Sequence, residues 1–123
     1  MLTWLRGRAP QDPAARAKEP TDIAPDELAV ALTGAEPPLV LDVRTLQEYA
    51  GGHIRQAQLL PLAELGRRMG TLPQDRLIVC VCRSGNRSGF AAQQLRRNGY
   101  RARNMSGGML RWRGPVSGGA ARG

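Results

Sequence analysis

The strongest constraint on the fold is the change of character at Cys82. Six apolar residues in a row, Leu77-Ile-Val-Cys-Val-Cys82, run directly into the polar stretch Arg83-Ser-Gly-Asn-Arg-Ser88. An apolar run this short and partly β-branched predicts a buried strand rather than a helix. Gly85 lets the chain turn. A helix is then expected from about Asn86, with Phe90, Ala91 and Leu95 facing inward, Arg96 and Arg97 in its last turn, and Asn98-Gly99 ending it.

The same alternation extends to either side. Pro25 suits a first helical position ahead of the stripe Leu28, Ala31 and Leu32. Leu39-Val-Leu-Asp-Val43 predicts a second buried strand, and Thr45-Leu-Gln-Glu48 a capping box that opens a short helix. Ala57 to Leu60 forms a weaker strand stopped by Pro61, and Leu62 to Met69 a helix with Leu62, Leu65 and Met69 on one face. Arg101 to Met105 is a last short strand, and Gly107 to Trp112 a last turn of helix. Strands and helices alternating in this way predict an α/β layer with a mainly parallel sheet, whose ligands bind beyond the carboxyl ends of the strands. Residues 1–20, interrupted by Pro10, Pro13 and Pro20, are expected to form a flexible arm, and residues 114–123 a frayed tail.

Composition removes several classes. A chain of 123 residues has room for one domain, and its longest apolar run falls far short of the roughly 20 residues of a membrane helix. Residues 1–8 lack the apolar stretch of about 7–15 residues that a secretory signal needs, so a cytoplasmic protein without membrane partners is expected. With two cysteines and one histidine there is no zinc-type cluster; no metal and no cofactor are expected, and a reducing compartment suits the unpaired thiols. The net charge of +8 is uneven: every carboxylate side chain lies at or before Asp75, and ten arginines follow it. That half attracts anions. Nucleic acid is not expected, since only Phe90, Tyr100 and Trp112 supply aromatic rings there and no binding motif accompanies them.

The chemistry converges on one sulfur. A strand that delivers Cys82 to its carboxyl end, followed by a tight loop and a helix, aims successive N–H groups and the helix's positive end at that side chain. Arg83 and Arg87 add positive charge nearby. Each effect favours the thiolate, so the Cys82 pKa is expected to fall from about 8.5 toward or below neutrality, activating a nucleophile without a histidine base. Cys80 would share a strand face with Cys82 at the limit of disulfide geometry, which makes it a packing residue. His53 is expected to fix the turn after the short helix, Tyr49 and Trp112 to pack at the core's edge, and the remaining arginines to form a solvated face. Asp42 either braces the Cys82 loop by accepting N–H bonds or merely ends its strand.

Cys82-Arg-Ser-Gly-Asn-Arg-Ser88 resembles the active-site loop of the rhodanese-like sulfurtransferases. Leu41-Asp-Val-Arg44 with Glu48-Tyr49 and Gly52-His-Ile54 is similar to that family's N-terminal signature, and Ser106-Gly-Gly-Met-Leu-Arg-Trp112 to its C-terminal one; Gln56 and Leu59 depart from the usual Gly and Asn. The likeness covers about residues 21–113 and implies a small parallel sheet of about five strands with helices on both faces. It implies that Cys82 is the catalytic residue, that Arg83, Ser84, Gly85, Asn86 and Arg87 bind substrate, and that Asp42 and Ser88 support them. A sulfane sulfur from a thiosulfate-type donor would rest on Cys82 as a persulfide and pass to cyanide, a thiol or a protein acceptor. Related phosphatases and arsenate reductases have a longer loop, whereas only four residues separate Cys82 from Arg87, a ring that fits one sulfur and crowds a phosphate. The alternative is a non-catalytic binding or regulatory module recognising an anionic partner.

Overall fold

A computed structural model describes residues 18–119, so most of the arm expected at 1–20, and the last four residues of the tail, lie outside the described residues. The elements run β1 (Asp22–Ile23), α1 (Pro25–Ala31), β2 (Leu39–Asp42), α2 (Leu46–Ala50), β3 (His53–Ile54), β4 (Gln58–Leu59), α3 (Leu62–Arg68), β5 (Ile78–Val81), α4 (Asn86–Arg97), β6 (Ala102–Met105) and β7 (Val116–Ser117). Five strands form one parallel sheet in the order β1-β6-β5-β2-β4, with β5 at its centre. Among the described residues no helix is long and apolar enough to cross a membrane.

The period of two along β5 divides the core into two layers. Ile78 and Cys80, with Cys82 just past the strand's end, meet Leu65 of α3 and Ala91, Ala92 and Leu95 of α4 on one face. Val79 and Val81 meet Leu28 of α1 and Met105 on the other. All four β5 residues are buried, as a continuous apolar run requires when both faces are covered.

Two local expectations need correcting. Phe90 does not face inward: it is 69% exposed, because the buried stripe of α4 runs through Ser88, Ala91, Ala92 and Leu95. Ser88 holds that stripe's first position by contact with the Cys82 sulfur, which sets the phase of the helix. The tail is not frayed where it is described, since β7 pairs antiparallel with β3, Ile54 opposite Val116. The turn of helix expected after β6 is present as a 3-10 helix, Gly108–Arg111.

Several arginines outside the loop hold backbone rather than forming a merely solvated face. Arg96 donates to the Ala102 carbonyl and Arg103 to that of Asp22. Arg101 pairs with Glu19 at 2.6 Å, fixing the chain's entry into β1.

Candidate active site

The neighbouring parallel strands β2 and β5 open onto the same edge of the sheet, and the turns that leave their carboxyl ends build the site. After β5, Cys82 begins a four-residue turn into α4. Gly85, the residue before the helix, has φ of +102°, and a side chain there would press on the Gly107 amide. That left-handed turn suits glycine. It gives α4 no side-chain cap of the ordinary kind, so the first-turn amides need another acceptor.

The sulfur of Cys82 is that acceptor. It takes hydrogen bonds from the Gly85 amide at 3.1 Å, from the Ser88 amide at 3.3 Å and from the Ser88 hydroxyl at 3.3 Å. Burial pushes the thiol up, but the Ser88 hydroxyl and amide, the Gly85 amide and the Ser84 amide together outweigh it, and the pKa is lowered. The direction matches the expectation from sequence, while the cause differs in weight. Hydrogen bonds hold the charge, and Ser88 touches the sulfur directly rather than supporting the loop from behind.

The loop is docked from the other side by the 3-10 turn after β6. Met109 donates its amide to the Cys82 carbonyl at 2.8 Å and Leu110 donates to that of Arg83 at 3.1 Å. Gly108 makes this approach possible: any Cβ there would collide with the Arg83 carbonyl.

The two arginines of the loop are not alike. Arg87 is bound bidentately by Glu48, Nη1 to Oε1 at 2.8 Å and Nη2 to Oε2 at 2.9 Å, so most of its charge is matched. Arg83 is exposed and its side chain has no hydrogen-bond or ion-pair partner among the described residues. The Arg87 tie holds the Glu48 carboxyl down at about 2, helped by the Thr45 amide. Glu48 also closes the expected capping box of α2, accepting from Thr45 N while Thr45 Oγ1 accepts from Glu48 N. The sequence reading misses this carboxylate's second role, although a signal exists. Asp42 and Val81 face each other in register, and Glu48 and Arg87 each lie six residues beyond them. Once β2 and β5 are neighbours, their first turns emerge side by side.

Asp42 does not brace the Cys82 loop. Its buried carboxylate accepts from the Arg44 amide at 3.1 Å and from the Arg44 guanidinium at 2.8 Å, and Arg44 in turn donates to the Gly52 carbonyl. A buried carboxylate needs a matched partner, and the nearest cation two residues on supplies it. His53 holds its turn as expected, with Nδ1 2.7 Å from the Tyr49 carbonyl and its ring stacked on Tyr49. Cys80 is unpaired and buried, and burial pushes its thiol up to about 12. Ser84 and Asn86 present exposed side chains at the rim of the loop. Among the described residues, no three His, Cys, Asp or Glu side chains come together in a group that could hold a metal ion.

Similarity to known proteins agrees with this geometry. The model of the rhodanese-like domain matches residues 24–114. The chain is 39% identical over 92 residues to a sulfurtransferase of Allochromatium vinosum, covering 74% of this chain and 86% of that protein. The crystal structure of a rhodanese-like domain protein from Staphylococcus aureus superposes with a TM-score of 0.72 at 33% identity, over 76% of this chain and 91% of that one. A rhodanese-related protein from Thermoplasma volcanium gives 0.73 at 28% identity, over 78% and 96%. With its sheet order, its cysteine at the end of the central strand and these matches taken together, the chain belongs to the rhodanese-like domain family of sulfurtransferases.

Proposed function

We propose that this protein transfers a sulfane sulfur through a persulfide on Cys82, with thiosulfate or a donor like it as the source. The observation that carries the reading is the sulfur of Cys82 receiving two main-chain amides and a hydroxyl at the positive end of α4. Donors so placed stabilise a thiolate and, after transfer, the charge of a persulfide.

The Cys82 thiolate attacks the outer sulfur of the donor. A new S–S bond forms, the donor's S–S bond breaks, and sulfite departs with the bonding electron pair. The terminal sulfur of the persulfide now carries the negative charge in the mouth of the loop. A thiolate or cyanide then attacks that outer sulfur, takes it as a persulfide or thiocyanate, and returns Cys82 as thiolate. No proton need move at the sulfur during either transfer, so the absence of a histidine beside it is no obstacle. Arg83, exposed and unpaired among the described residues, is the cation available to draw in a doubly charged donor and to stabilise departing sulfite. Arg87, committed to Glu48, instead stiffens the rim.

Formation of thiocyanate from thiosulfate and cyanide tests this, with Cys82→Ser alongside. The native protein turns over and gains the mass of one sulfur on Cys82 when treated with donor alone; the variant does neither. Equal turnover by both proteins refutes the role of Cys82. A native protein that gains no sulfur from thiosulfate, mercaptopyruvate or a small persulfide refutes the activity.

A further inference from the structure

Asn104 lies on β6, directly opposite Cys80 in register, with its side chain reaching the Cys82 loop. Its Nδ2 donates to the Gly85 carbonyl at 3.0 Å, and its Oδ1 accepts from the Ser88 hydroxyl at 2.5 Å. The amide cannot be turned the other way, for Oδ1 would then face the Gly85 oxygen with no hydrogen between them. The Ser88 hydroxyl is fully buried and has one proton. It faces two acceptors, Asn104 Oδ1 and the Cys82 sulfur at 3.3 Å, and cannot serve both fully.

We propose that Asn104 is a positioning residue that competes with the Cys82 sulfur for the Ser88 hydroxyl proton, surrendering it only when the sulfur is charged. With Cys82 as a thiol, its S–H points at Ser88 Oγ and the hydroxyl points at Asn104. When the thiol proton leaves to water, the hydroxyl turns to the thiolate and Asn104 Oδ1 loses its donor. Ionisation therefore breaks one hydrogen bond to make another, and the thiolate is held less tightly than the bare cradle would hold it.

This deepens the reading of Cys82 as a sulfur carrier and rests on it. A thiolate stabilised too far is a poor nucleophile, and the best attacking thiol has a pKa near the ambient pH. In the persulfide the inner sulfur is uncharged and the hydroxyl is free to return to Asn104, so the negative charge stays on the outer sulfur, where the acceptor attacks. Asn104 thus adjusts the sulfur without touching it. Its other bond is a weaker constraint, since the Gly85 carbonyl also accepts from the Gly89 amide at 3.1 Å.

The sign of the effect separates this role from scaffolding. The rate of Cys82 alkylation by iodoacetamide, followed against pH on the full chain, reports the thiolate without requiring any sulfur transfer. Asn104→Ala is expected to lower the apparent pKa by about half a unit, the worth of one modest hydrogen bond, and to leave it unmoved in a Ser88→Ala background. Asn104→Leu, which fills the space of the amide but offers no acceptor, is expected to do the same and stands in should the alanine variant unfold. A rise or no change in both Asn104 variants overturns the proposal, because loosening the loop removes donors and can only raise the pKa. An equal fall in the Ser88→Ala background overturns it as well. Should thiosulfate load no sulfur on the native protein while these shifts appear, the carrier reading falls and the proton competition stands.

Discussion

Cys80 and Cys82 lie on the same face of the same strand line, two residues apart, and their sulfurs meet opposite conditions. Around Cys80 the main chain is spent: β5 pairs with β2 and β6 on either side, so nearby amides are committed to the sheet. No nearby amide is left to stabilise a charge, and burial pushes the thiol up to about 12 despite the attraction of the Arg96 guanidinium. Cys82 is almost as well covered, at 1% exposed, but stands where the sheet ends and a helix begins. There the amides of Gly85 and Ser88 have no helical partner and take the sulfur instead. What separates the cysteine whose pKa is raised from the one whose pKa is lowered is therefore the supply of unspent backbone donors rather than depth. Two positions along a strand suffice to change it.

The largest contrast should appear in reactivity. At neutral pH a thiol with a pKa of about 12 is ionised in roughly one molecule in 10⁵, and only the thiolate reacts. Limited alkylation of the native protein at pH 7 followed by peptide mapping should label Cys82 over Cys80 by at least about 10³-fold. Comparable labelling of the two would dissolve the comparison. In urea, with both cradle and sheet gone, the difference should vanish.

A second experiment makes Cys82 more like Cys80. In Gly85→Ala the new Cβ meets a positive φ of 102° and stands 3.2 Å from the Gly107 amide. The strain is on the order of 1–2 kcal/mol, and the turn relieves it by rotating the Gly85 peptide away from the sulfur. Loss of one bond to a charged group costs about 1.5 kcal/mol, so the apparent pKa of Cys82, read from its alkylation rate against pH, should rise by about one unit. A variant that melts lower with an unchanged Cys82 titration would show that the Gly85 amide is dispensable for the charge.

The parts of this contrast legible in the sequence are those encoded locally. The run from Leu77 to Cys82 ending at a glycine-containing loop announces both the central strand and the converging amides, and Thr45 with Glu48 announces α2. Sequence reasoning fails where a residue's partner comes from another strand. Asp42 is the exception: it reads as a brace of the loop although its partner, Arg44, lies only two residues on, because a carboxylate at a strand's end can turn to either side. Phe90 reads as core because hydrophobicity marks it so, yet the phase of α4 is set by the polar Ser88 against a sulfur. Glu48 and Arg87, thirty-nine residues apart, meet only because β2 and β5 are neighbours, and strand order is not written in either segment alone. Asn104 belongs with these, since nothing in Ala102–Met105 signals that one amide reaches across to Gly85 and Ser88.

The smallest effect expected concerns the rim around Cys82, which, unlike the surroundings of Cys80, is held partly by an ion pair. Glu48 is held at about 2 against an ordinary value of 4.5. A carboxyl lowered on folding binds protons more readily in the unfolded chain, so its contribution is complete above the ordinary value and disappears as pH falls toward about 2. Both side chains are about one-third exposed, at 30% and 37%, so solvent screening keeps the contribution within about 1 kcal/mol. Glu48→Gln should therefore melt slightly below the native protein at pH 6, with the gap closing as pH falls from about 4.5 to about 2. High salt should shrink the gap at pH 6 as well. The capping bond from the Thr45 amide also favours the charged carboxyl, so it fades with the ion pair; a gap that persists undiminished at pH 2 would show that Glu48 holds the rim by its shape and packing and that its charge contributes nothing.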